Sequence, residues 1–336
     1  MIQENISLLA YNTFGIDAKA RFFCEMTTVA ELRAILADSR WQGVAKLVLG
    51  EGSNVLLTQD FPGLVLKMRI KGIEKTGEDQ DAIWITAGAG ENWHSFVLYC
   101  LAHRYAGVEN LSLIPGTVGA APMQNIGAYG VELTQVFDRL TAVRIADGRE
   151  AIFHHSDCHF GYRDSVFKNQ VKNQYIITDV TLRLNKKPHF HVEYGSLQAM
   201  LAQQSGELSI QTISDAVIKI RTQKLPDPKV IGNAGSFFKN PIVTAEQFRA
   251  LQEKHPEIPH FTAHNGDYKI PAAWLIEQCH WKGYRRGDAG VHQHHSLVLV
   301  NHGHASGQAI YQLAQDIQAS VREKFSVEIL PEVNII

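Results

Sequence analysis

The first ~200 residues alternate short apolar runs with turn residues, a pattern typical of strands with a few helices between them. Lys46-Leu47-Val48-Leu49 is an apolar run that ends at glycines, as a buried strand does. Thr28 with Glu31 three residues later forms a capping-box pattern, which predicts that a helix begins there. We further predict strands at 55–57, 64–68, 83–86 and 175–184, and a helix around 94–104.

The remaining residues mix helical and strand patterns. We predict a helix over 212–224, a second behind a Thr244 capping box, and a third whose first turn holds Pro271. Ser306 is the expected N-cap of a long helix, and the apolar tail at 327–336 is expected to dock as a strand. Strands in the first part and a mixture afterwards together predict an α+β protein.

Residues 107–130 follow neither pattern and are rich in Gly, Ala, Pro and Asn. A run of this length without regular structure inside a compact protein usually carries function. The apolar residues Leu113, Ile114 and Val118 argue against a plain solvated loop. Small residues let a large planar ligand approach the backbone closely, and Thr117 can donate a hydrogen bond. We therefore predict that this segment binds a ligand.

The chain has 336 residues, enough for two or three compact units. Its formal charge of −2 gives no reason to expect nucleic-acid binding, although a few local cations suffice for an acidic small substrate. The chain shows no basic segment followed by an apolar core at its start, and no apolar run long enough to span a bilayer, so we expect a cytoplasmic protein. The four cysteines form no CxxC pair and are expected to be reduced thiols.

Gly50-Glu51-Gly52-Ser53-Asn54 follows the predicted strand at 46–49, in the place of a dinucleotide-binding turn. A third glycine is missing at the expected position and a strand pattern follows, which argues against a Rossmann crossover. Backbone N–H groups of small residues can still form a nest for a phosphate. On this segment alone, an ordinary turn is the favoured interpretation.

Three polar side chains are candidates for chemistry, each with an ordinary alternative. Arg163 can hold a carboxylate or an enolate, although spacing alone favours a surface ion pair with Asp164. Ser236 lies in the segment 232–241 without a G-x-S-x-G pattern, so it is either a proton donor or a structural turn hydroxyl. Glu332 would be solvated in an ordinary tail, but its apolar neighbours can carry it into a site.

Histidines flank the strand pattern at 297–300. Metal binding would need a carboxylate or a cysteine at a recognised ligand spacing, and the sequence has none there. We therefore predict a polar loop and no metal site at these residues, which are His292, His294, His295, His302 and His304.

Taken in chain order, six segments resemble the UDP-N-acetylenolpyruvoylglucosamine reductase family nearly from end to end. The longest is 113–130, and another reads Gly232-Asn233-Ala234-Gly235-Ser236-Phe237-Phe238-Lys239-Asn240-Pro241. Each segment is modest alone, so the resemblance is carried by their order and number. The other four segments are 12–16, 49–56, 162–165 and 331–333.

The resemblance implies an α+β fold of the vanillyl-alcohol-oxidase (PCMH) type, with two FAD-binding subdomains and a third, substrate-binding domain. It implies a monomeric cytoplasmic enzyme of peptidoglycan precursor synthesis that contacts neither nucleic acid nor membrane. NADPH would reduce non-covalently bound FAD, whose N5 then gives hydride to C3 of UDP-N-acetylglucosamine enolpyruvate. Protonation of C2 would leave UDP-N-acetylmuramate. The implied divisions are 1–65 and 66–210 for FAD, 211–325 for the substrate, and 326–336 for a segment that returns to the active site.

The resemblance also implies roles for individual residues. Hydride addition builds negative charge at C2 and on the carboxylate, so the reaction needs an acid and a cation. Matched by motif, Ser236 is the proton donor and Arg163 the partner of the charge, while Glu332 either donates a hydrogen bond as a protonated acid or orients Arg163. Tyr194, in the loop 192–195, indicates the subtype in which a tyrosine covers the substrate. The other implied residues are Tyr162, Arg221, Lys224 and Asn240 for the substrate, and Gly50, Glu51, Gly52, Ser53, Asn54, Thr117, Gly119, Ala120 and Gly127 for FAD.

Two positions depart from the family pattern. Asn334 stands where a basic residue is expected, and the pair His294-His295 stands where an amide would contact the uridine end. The alternatives are another FAD-dependent oxidase or dehydrogenase of the same fold, or a nucleotide-sugar binding protein without catalysis. The first leaves the segment 232–241 and the Glu332 tail unexplained, and the second needs no flavin.

Overall fold

A computed structural model of the chain describes residues 1–203, 206–263 and 266–336. These residues form two compact units. No helix within the described ranges is long and apolar enough to cross a membrane. Unit 1 consists of Met1–Ile6, Ala20–Glu51 and Pro62–Gln223, and unit 2 of Ser7–Lys19, Gly52–Phe61 and Lys224–Ile336.

Most of the α-helices begin at a side chain that accepts a hydrogen bond from the first turn, as the sequence predicts. Thr28 and Glu31 form the expected capping box, and Ser306 accepts from Ala309 N. Pro271 is the N-cap and not a first-turn residue, because its extended ψ of 111° delays the helix by one position. The α-helices are α1 Val29–Ala37, α2 Trp93–Ala102, α3 Gly195–Leu201, α4 Ile210–Lys224, α5 Ala245–Lys254, α6 Ala272–Gln278 and α7 Gly307–Phe325.

The strands include every one that the apolar pattern predicts, with small differences at their ends. In the first half of the chain they are β1 Gln3–Ser7, β2 Lys19–Met26, β3 Lys46–Leu49, β4 Val55–Leu56, β5 Phe61–Met68, β6 Ile73–Glu78, β7 Ala82–Gly88, β8 Gly127–Ala128, β9 Val131–Glu132, β10 Phe137–Arg144, β11 Glu150–His154 and β12 Tyr175–Asn185. They continue with β13 Gly232–Ser236, β14 Ile242–Val243, β15 Phe261–Thr262, β16 Tyr268–Lys269, β17 Arg285–Arg286, β18 Ala289–Val291, β19 Val298–Asn301 and β20 Asn334–Ile335.

Unit 1 is built on two sheets with a shared apolar core. One sheet has the order β1-β2-β5-β3, and the other, antiparallel sheet has the order β11-β10-β12-β7-β6. The core contains Leu66 of the first sheet, Leu182 of the second, and Trp93 and Phe96 of α2. Residues 107–130 form short 3₁₀ turns and the β8–β9 hairpin, so their lack of a sustained period reflects a series of tight turns.

Unit 2 contains the sheet β13-β19-β18-β17, the sheet β14-β16-β15, and the pair β20-β4. The buried face of α7 carries Ile310, Leu313 and Ile317 at helical spacing. The C-terminal tail docks as a strand, as predicted, because β20 pairs in parallel with β4. Sheets and helices in these two units confirm the α+β prediction.

Candidate active site

In unit 1, the turn after β3 is fixed by the side chain of Glu51. Its carboxylate accepts hydrogen bonds from Asn92 Nδ2 at 2.6 Å and from Gly116 N at 3.1 Å. Asn92 also caps α2 through Oδ1, and Trp93 N donates to Gly116 O. One carboxylate thus links the turn, the start of α2 and the segment 116–120. This chain of bonds gives Glu51 a structural part in shaping the turn.

The backbone of this region is too tightly packed for side chains larger than hydrogen at two glycines. A Cβ on Gly50 would lie 2.8 Å from Thr117 Oγ1, and one on Gly119 would lie 2.9 Å from the Cα of Ala89. Real Cβ atoms do not approach other atoms so closely, so these positions require glycine. Ala120, which follows, closes a 3₁₀ turn through its N–H bond to Thr117 O. The result is a compact arrangement in which the small residues of the turn and of the segment 116–120 pack closely against their neighbours.

The β8–β9 hairpin turns through Tyr129 and Gly130, both with positive φ, at 49° and 84°. This two-residue turn is the kind that joins strands with the natural twist. It presents the carbonyl of Gly127 to the Arg163 guanidinium, with a distance of 2.6 Å from the Nη2 atom. Gly127, predicted as a cofactor residue, therefore also holds a candidate catalytic side chain.

Arg163 lies in a second tight turn, in which Gly161 and Asp164 exchange two backbone hydrogen bonds. Its φ is +53°, a left-handed conformation that non-glycine residues rarely adopt. The guanidinium lies 4.0 Å from a Glu132 carboxylate oxygen, over the Tyr162 ring at 5.3 Å, and its side chain is only 18% exposed. The surface position that spacing alone favours for Arg163 is therefore wrong, because its side chain is largely buried. Strain in the turn directs the side chain inward.

Arg221 and Tyr129 bring further polar groups to the same part of unit 1. Arg221 Nε donates to the carbonyl of Leu113 at 3.2 Å. Burial lowers the pKa of the Arg221 guanidinium, the Tyr129 hydroxyl raises it, and the Arg163 charge lowers it again. Tyr194, 46% exposed, packs edge-on against the Tyr129 ring at 5.5 Å. Two arginines that repel each other create a positive potential, which favours an anionic ligand.

In unit 2, Ser236 ends β13 at an irregular position in the sheet. The register between β13 and β19 shifts between Asn233 and Ser236, and Gly235 takes φ +70°. The Asn233 side chain stabilises the irregularity by accepting from Gly235 N at 2.9 Å. Among the described residues of unit 2, none forms a hydrogen bond to the Ser236 hydroxyl. The hydroxyl is half-buried and available to a ligand.

Glu332 is held beside this strand by hydrogen bonds to its backbone. Its N–H donates to Phe237 O at 2.7 Å, and Lys239 N donates to Leu330 O at 2.9 Å. Asn54 Nδ2 donates to the carbonyl of Glu332 at 3.3 Å. The chain segments that carry Ser236 and Glu332 are therefore paired through their backbones, although they lie far apart in the sequence. Asn54, at the end of the predicted cofactor turn, bonds to the Glu332 segment.

The remaining predicted residues of unit 2 lie at two other places. Asn240 Oδ1 accepts from Ala272 N at 2.9 Å and so helps to start α6. Lys224 is exposed at the end of α4. Burial lowers the pKa of the His295 imidazole, and the nearby charge of Lys224 adds to the effect. His295 is therefore neutral near pH 7 and can offer both a donor and an acceptor to a ligand, as an amide would.

The predicted site residues fall into both units. Sequence reasoning left out Tyr129, Asn92 and Lys67, because a tyrosine in a turn, an ordinary N-cap and a lysine within a strand carry no distinctive signal. Unit 1 holds Gly50, Glu51, Thr117, Gly119, Ala120, Gly127, Tyr162, Arg163, Tyr194 and Arg221, and unit 2 holds Gly52, Ser53, Asn54, Lys224, Ser236, Asn240 and Glu332.

Comparison with known families gives two matches along the chain. Residues 226–336 match the family described as UDP-N-acetylenolpyruvoylglucosamine reductase, C-terminal domain. Residues 20–155 match the family described as FAD binding domain, and this range includes Gly50 and the segment 116–120.

Two relatives are similar over nearly their whole lengths. The UDP-N-acetylenolpyruvoylglucosamine reductase of Amoebophilus asiaticus is 57% identical over 336 residues, which cover 100% of this chain and 99% of that protein. The protein of the same name from Chromobacterium violaceum is 49% identical over 335 residues, with 98% and 97% covered.

Among solved structures, the UDP-N-acetylenolpyruvylglucosamine reductase of Thermus caldophilus is similar with a TM-score of 0.70 and 23% identity, over 100% of this chain and 99% of that one. At this identity the likeness concerns the fold. Together with the FAD binding domain, it confirms the predicted α+β flavin-binding fold of the vanillyl-alcohol-oxidase type.

Proposed function

This chain belongs to the UDP-N-acetylenolpyruvoylglucosamine reductase family, and we propose that it reduces UDP-N-acetylglucosamine enolpyruvate to UDP-N-acetylmuramate with NADPH. It is an FAD-dependent oxidoreductase of peptidoglycan synthesis. The observation that carries the finer proposal is the backbone pairing of Phe237 with Glu332, because it joins two motif-matched candidates, Ser236 and Glu332, in one unit.

FAD fits the residues of the region around Gly50. Gly50 packs closely against Thr117, and Gly119 packs against Ala89, so small residues bring the turn after β3 and the segment 116–120 together. Backbone N–H groups in such a turn can form a nest for a phosphate. We assign Gly50, Glu51 and the segment 116–120 to the cofactor, with Glu51 acting through the shape of the turn. When bound, FAD that NADPH has reduced supplies the hydride for C3 of the enolpyruvyl group.

The protein must then manage the charge that develops at C2 and on the adjoining carboxylate. We assign Arg163 to the carboxylate, because a guanidinium donates two parallel hydrogen bonds to such a group. The guanidinium is already oriented by its bond to Gly127 O, and an arginine carries five N–H donors in a fixed planar geometry. Arg221 adds a second positive charge. Stabilising charge that grows during the reaction, and not before it, is what accelerates the step.

Ser236 delivers the proton to C2 in this proposal. A serine hydroxyl is a weak acid in water, but an enolate next to it is a strong base, and the hydroxyl needs no preceding deprotonation. The irregular end of β13 fixes where the hydroxyl points, since Asn233 holds the Gly235 backbone. The proton is then regained from solvent. Glu332, on the neighbouring chain segment, either donates a hydrogen bond as a protonated acid or orients Arg163.

The nucleotide part of the substrate carries two phosphates and therefore needs cations. Lys224 supplies one, and Asn240 has an amide N–H₂ group in addition to the oxygen that starts α6. Tyr194, half-exposed and edge-on to Tyr129, covers the substrate as the loop of the tyrosine-loop subtype would. These groups bind the nucleotide without taking part in the proton and hydride transfers.

The direct test mixes the purified protein with NADPH, with and without the enolpyruvyl nucleotide. We expect a yellow protein whose NADPH consumption depends on the nucleotide, and a product heavier than the substrate by two hydrogens in mass spectrometry. Reduction of the flavin by alcohols or sugars, with oxygen as the electron acceptor and no nucleotide-dependent consumption of NADPH, would favour another flavin oxidase. A protein that binds the nucleotide but retains no FAD would contradict the enzyme proposal itself.

A further inference from the structure

Lys67 is a buried lysine in β5, where it pairs in register with Leu49 of β3. The residues of this strand are buried from Gly63 onward, and Lys67 itself is 5% exposed. An ammonium group in such surroundings costs free energy that an apolar side chain of similar size would not. The charge therefore serves something other than packing.

The Lys67 ammonium reaches the turn that we assign to FAD. Nζ donates to the carbonyl of Gly50, the first residue of that turn. The next residue, Glu51, accepts from Asn92 and from Gly116 N, so the turn is held from one side by a cation and from the other by an anion. Gly50 is also packed closely against Thr117, so a shift of its carbonyl would displace the segment 116–120 as well.

Charges on three neighbouring elements act on Lys67. Burial, together with the cations Arg69 and Lys71 that follow β5, lowers the pKa of Lys67 to about 8. The carboxylates of Glu51 in the turn and Glu25 in β2 act in the opposite direction. The lysine is thus mostly charged at pH 7 and loses its proton between pH 7 and pH 9.

We propose that Lys67 is a positioning residue for FAD: its ammonium fixes the Gly50 carbonyl, sets the conformation of the 50–51 turn, and adds positive charge beside it. The inference rests on the proposed assignment of this turn to FAD. A cofactor that carries a diphosphate then binds more tightly to the protonated state of Lys67 than to the neutral state. Binding should accordingly weaken as the pH rises through the pKa of Lys67 in the free protein.

The test measures the dissociation constant of FAD for the FAD-stripped protein by fluorescence titration between pH 7 and pH 9.5. For Lys67→Met we expect roughly 10- to 100-fold weaker binding at pH 7, the usual effect of losing a charged hydrogen bond. The unaltered protein should lose about tenfold in affinity across the range, while Lys67→Met should change less than threefold. The ratio of the two dissociation constants should therefore narrow by roughly three- to tenfold between pH 7 and pH 9.5.

Lys46→Met is the matched control. Lys46 lies on the adjacent strand β3, and its Nζ also donates to backbone carbonyls, those of Trp41 at 2.7 Å and Val44 at 3.1 Å. Burial lowers the pKa of Lys46 as well. It lies opposite Leu64, whereas Lys67 lies opposite Leu49, so the two lysines occupy different ends of the strand pair. Lys46→Met should keep both the affinity and the pH dependence of the unaltered protein.

Two results would overturn the inference. In the first, Lys67→Met binds FAD as tightly as the unaltered protein at pH 7. In the second, the dissociation constant of Lys67→Met rises above pH 8 as much as that of the unaltered protein. If thermal unfolding shows that Lys67→Met lacks a cooperative transition, Lys67→Arg decides instead. It should bind FAD without the pH-dependent loss, because arginine stays charged, and a loss equal to that of the unaltered protein would refute the idea. An unaltered protein that binds no FAD at all would instead refute the proposed function.

Discussion

Arg163 in unit 1 and the pair Ser236–Glu332 in unit 2 are held in place by different means. Arg163 depends on side-chain bonds: its guanidinium contacts the Gly127 carbonyl from a left-handed turn. Ser236 and Glu332 depend on backbone pairing, in which Phe237 O accepts from Glu332 N and β20 docks on β4. The region around Arg163 contains charged side chains. The region around Ser236 and Glu332 contains a neutral and an acidic side chain on paired backbone segments.

The difference indicates which changes each region tolerates. A site held by one side chain is sensitive to substitution of that side chain and insensitive to changes farther along the chain. A site held by backbone pairing tolerates side-chain changes in the pairing strands but depends on the strands themselves. The two regions should therefore respond to opposite kinds of alteration, and each can be disturbed without the other.

Ser236→Ala should have the largest effect on the chemistry. We expect the reoxidation of reduced flavin by the enolpyruvyl nucleotide to slow by roughly 10²–10⁴-fold, because the proton donor is lost. Reduction by NADPH should keep its rate, and stopped-flow absorbance separates the two half-reactions. Ser306→Ala, which removes the cap of α7, is the control and should lower stability by about 1 kcal/mol without slowing reoxidation. Equal slowing of both half-reactions by Ser236→Ala would refute the proton-donor role.

Deletion of residues 334–336 should disturb unit 2 through its backbone. The hydrogen bonds lost include Asn334 N to Asn54 O at 3.1 Å and Thr58 N to Ile336 O at 2.8 Å. A third lost hydrogen bond runs from Ile336 N to Leu56 O. Loss of the three bonds should lower the free energy of unfolding, measured by urea titration, by about 2–4 kcal/mol. Asn334→Ala keeps the backbone bonds and should cost less than about 1 kcal/mol. A side-chain change as costly as the deletion would contradict the backbone account.

Arg163→Lys tests the opposite kind of placement. Lysine keeps the charge but lacks the planar fork that serves both the Gly127 carbonyl and a carboxylate, so reoxidation should slow by roughly 10- to 100-fold. The free energy of unfolding should change little. The control is Arg139→Lys, at an arginine that is 36% exposed and pairs with Asp138. If Arg139→Lys slowed flavin reoxidation as much as Arg163→Lys does, the specific role of Arg163 would be refuted.

Tyr194→Ala should have the smallest effect. The ring is 46% exposed and its edge-on contact with Tyr129 is worth about 0.5–1.5 kcal/mol. We expect the KM for the nucleotide to rise roughly 2- to 10-fold with kcat nearly unchanged, since the tyrosine binds without reacting. Tyr284→Ala, at another exposed tyrosine, should leave steady-state KM unaltered. A large fall in kcat would give Tyr194 a part in the chemistry that we do not assign to it.

Local signals in the sequence predicted much of the fold. Thr28 and Ser306 cap their helices as expected, because a capping side chain acts within a few residues of its own position. The strand predicted at 175–184 spans Tyr175–Asn185, since its apolar residues recur with the period of a sheet. The apolar residues of the tail also predicted that it docks, although they do not indicate which strand it pairs with.

The rest depends on contacts between residues far apart in the chain. No local pattern indicates that Arg163 takes a left-handed conformation, which is stabilised by the bonds between Gly161 and Asp164. A single lysine in an apolar strand, such as Lys67, looks like an edge position until its neighbours are known. The site residues were found through resemblance to a family, because their motifs lie far apart in the chain and none is distinctive alone.

In the proposed reaction, Ser236 protonates C2 of a substrate whose carboxylate Arg163 holds. A single turnover of the reduced protein with the enolpyruvyl nucleotide in D₂O tests it, with NMR used to locate the deuterium in the product. We predict full deuteration at C2 of the lactyl group in one configuration, because the Ser236 hydroxyl exchanges with solvent and reaches one face only. A C2 that carries protium, or a mixture of both configurations, would contradict the claim.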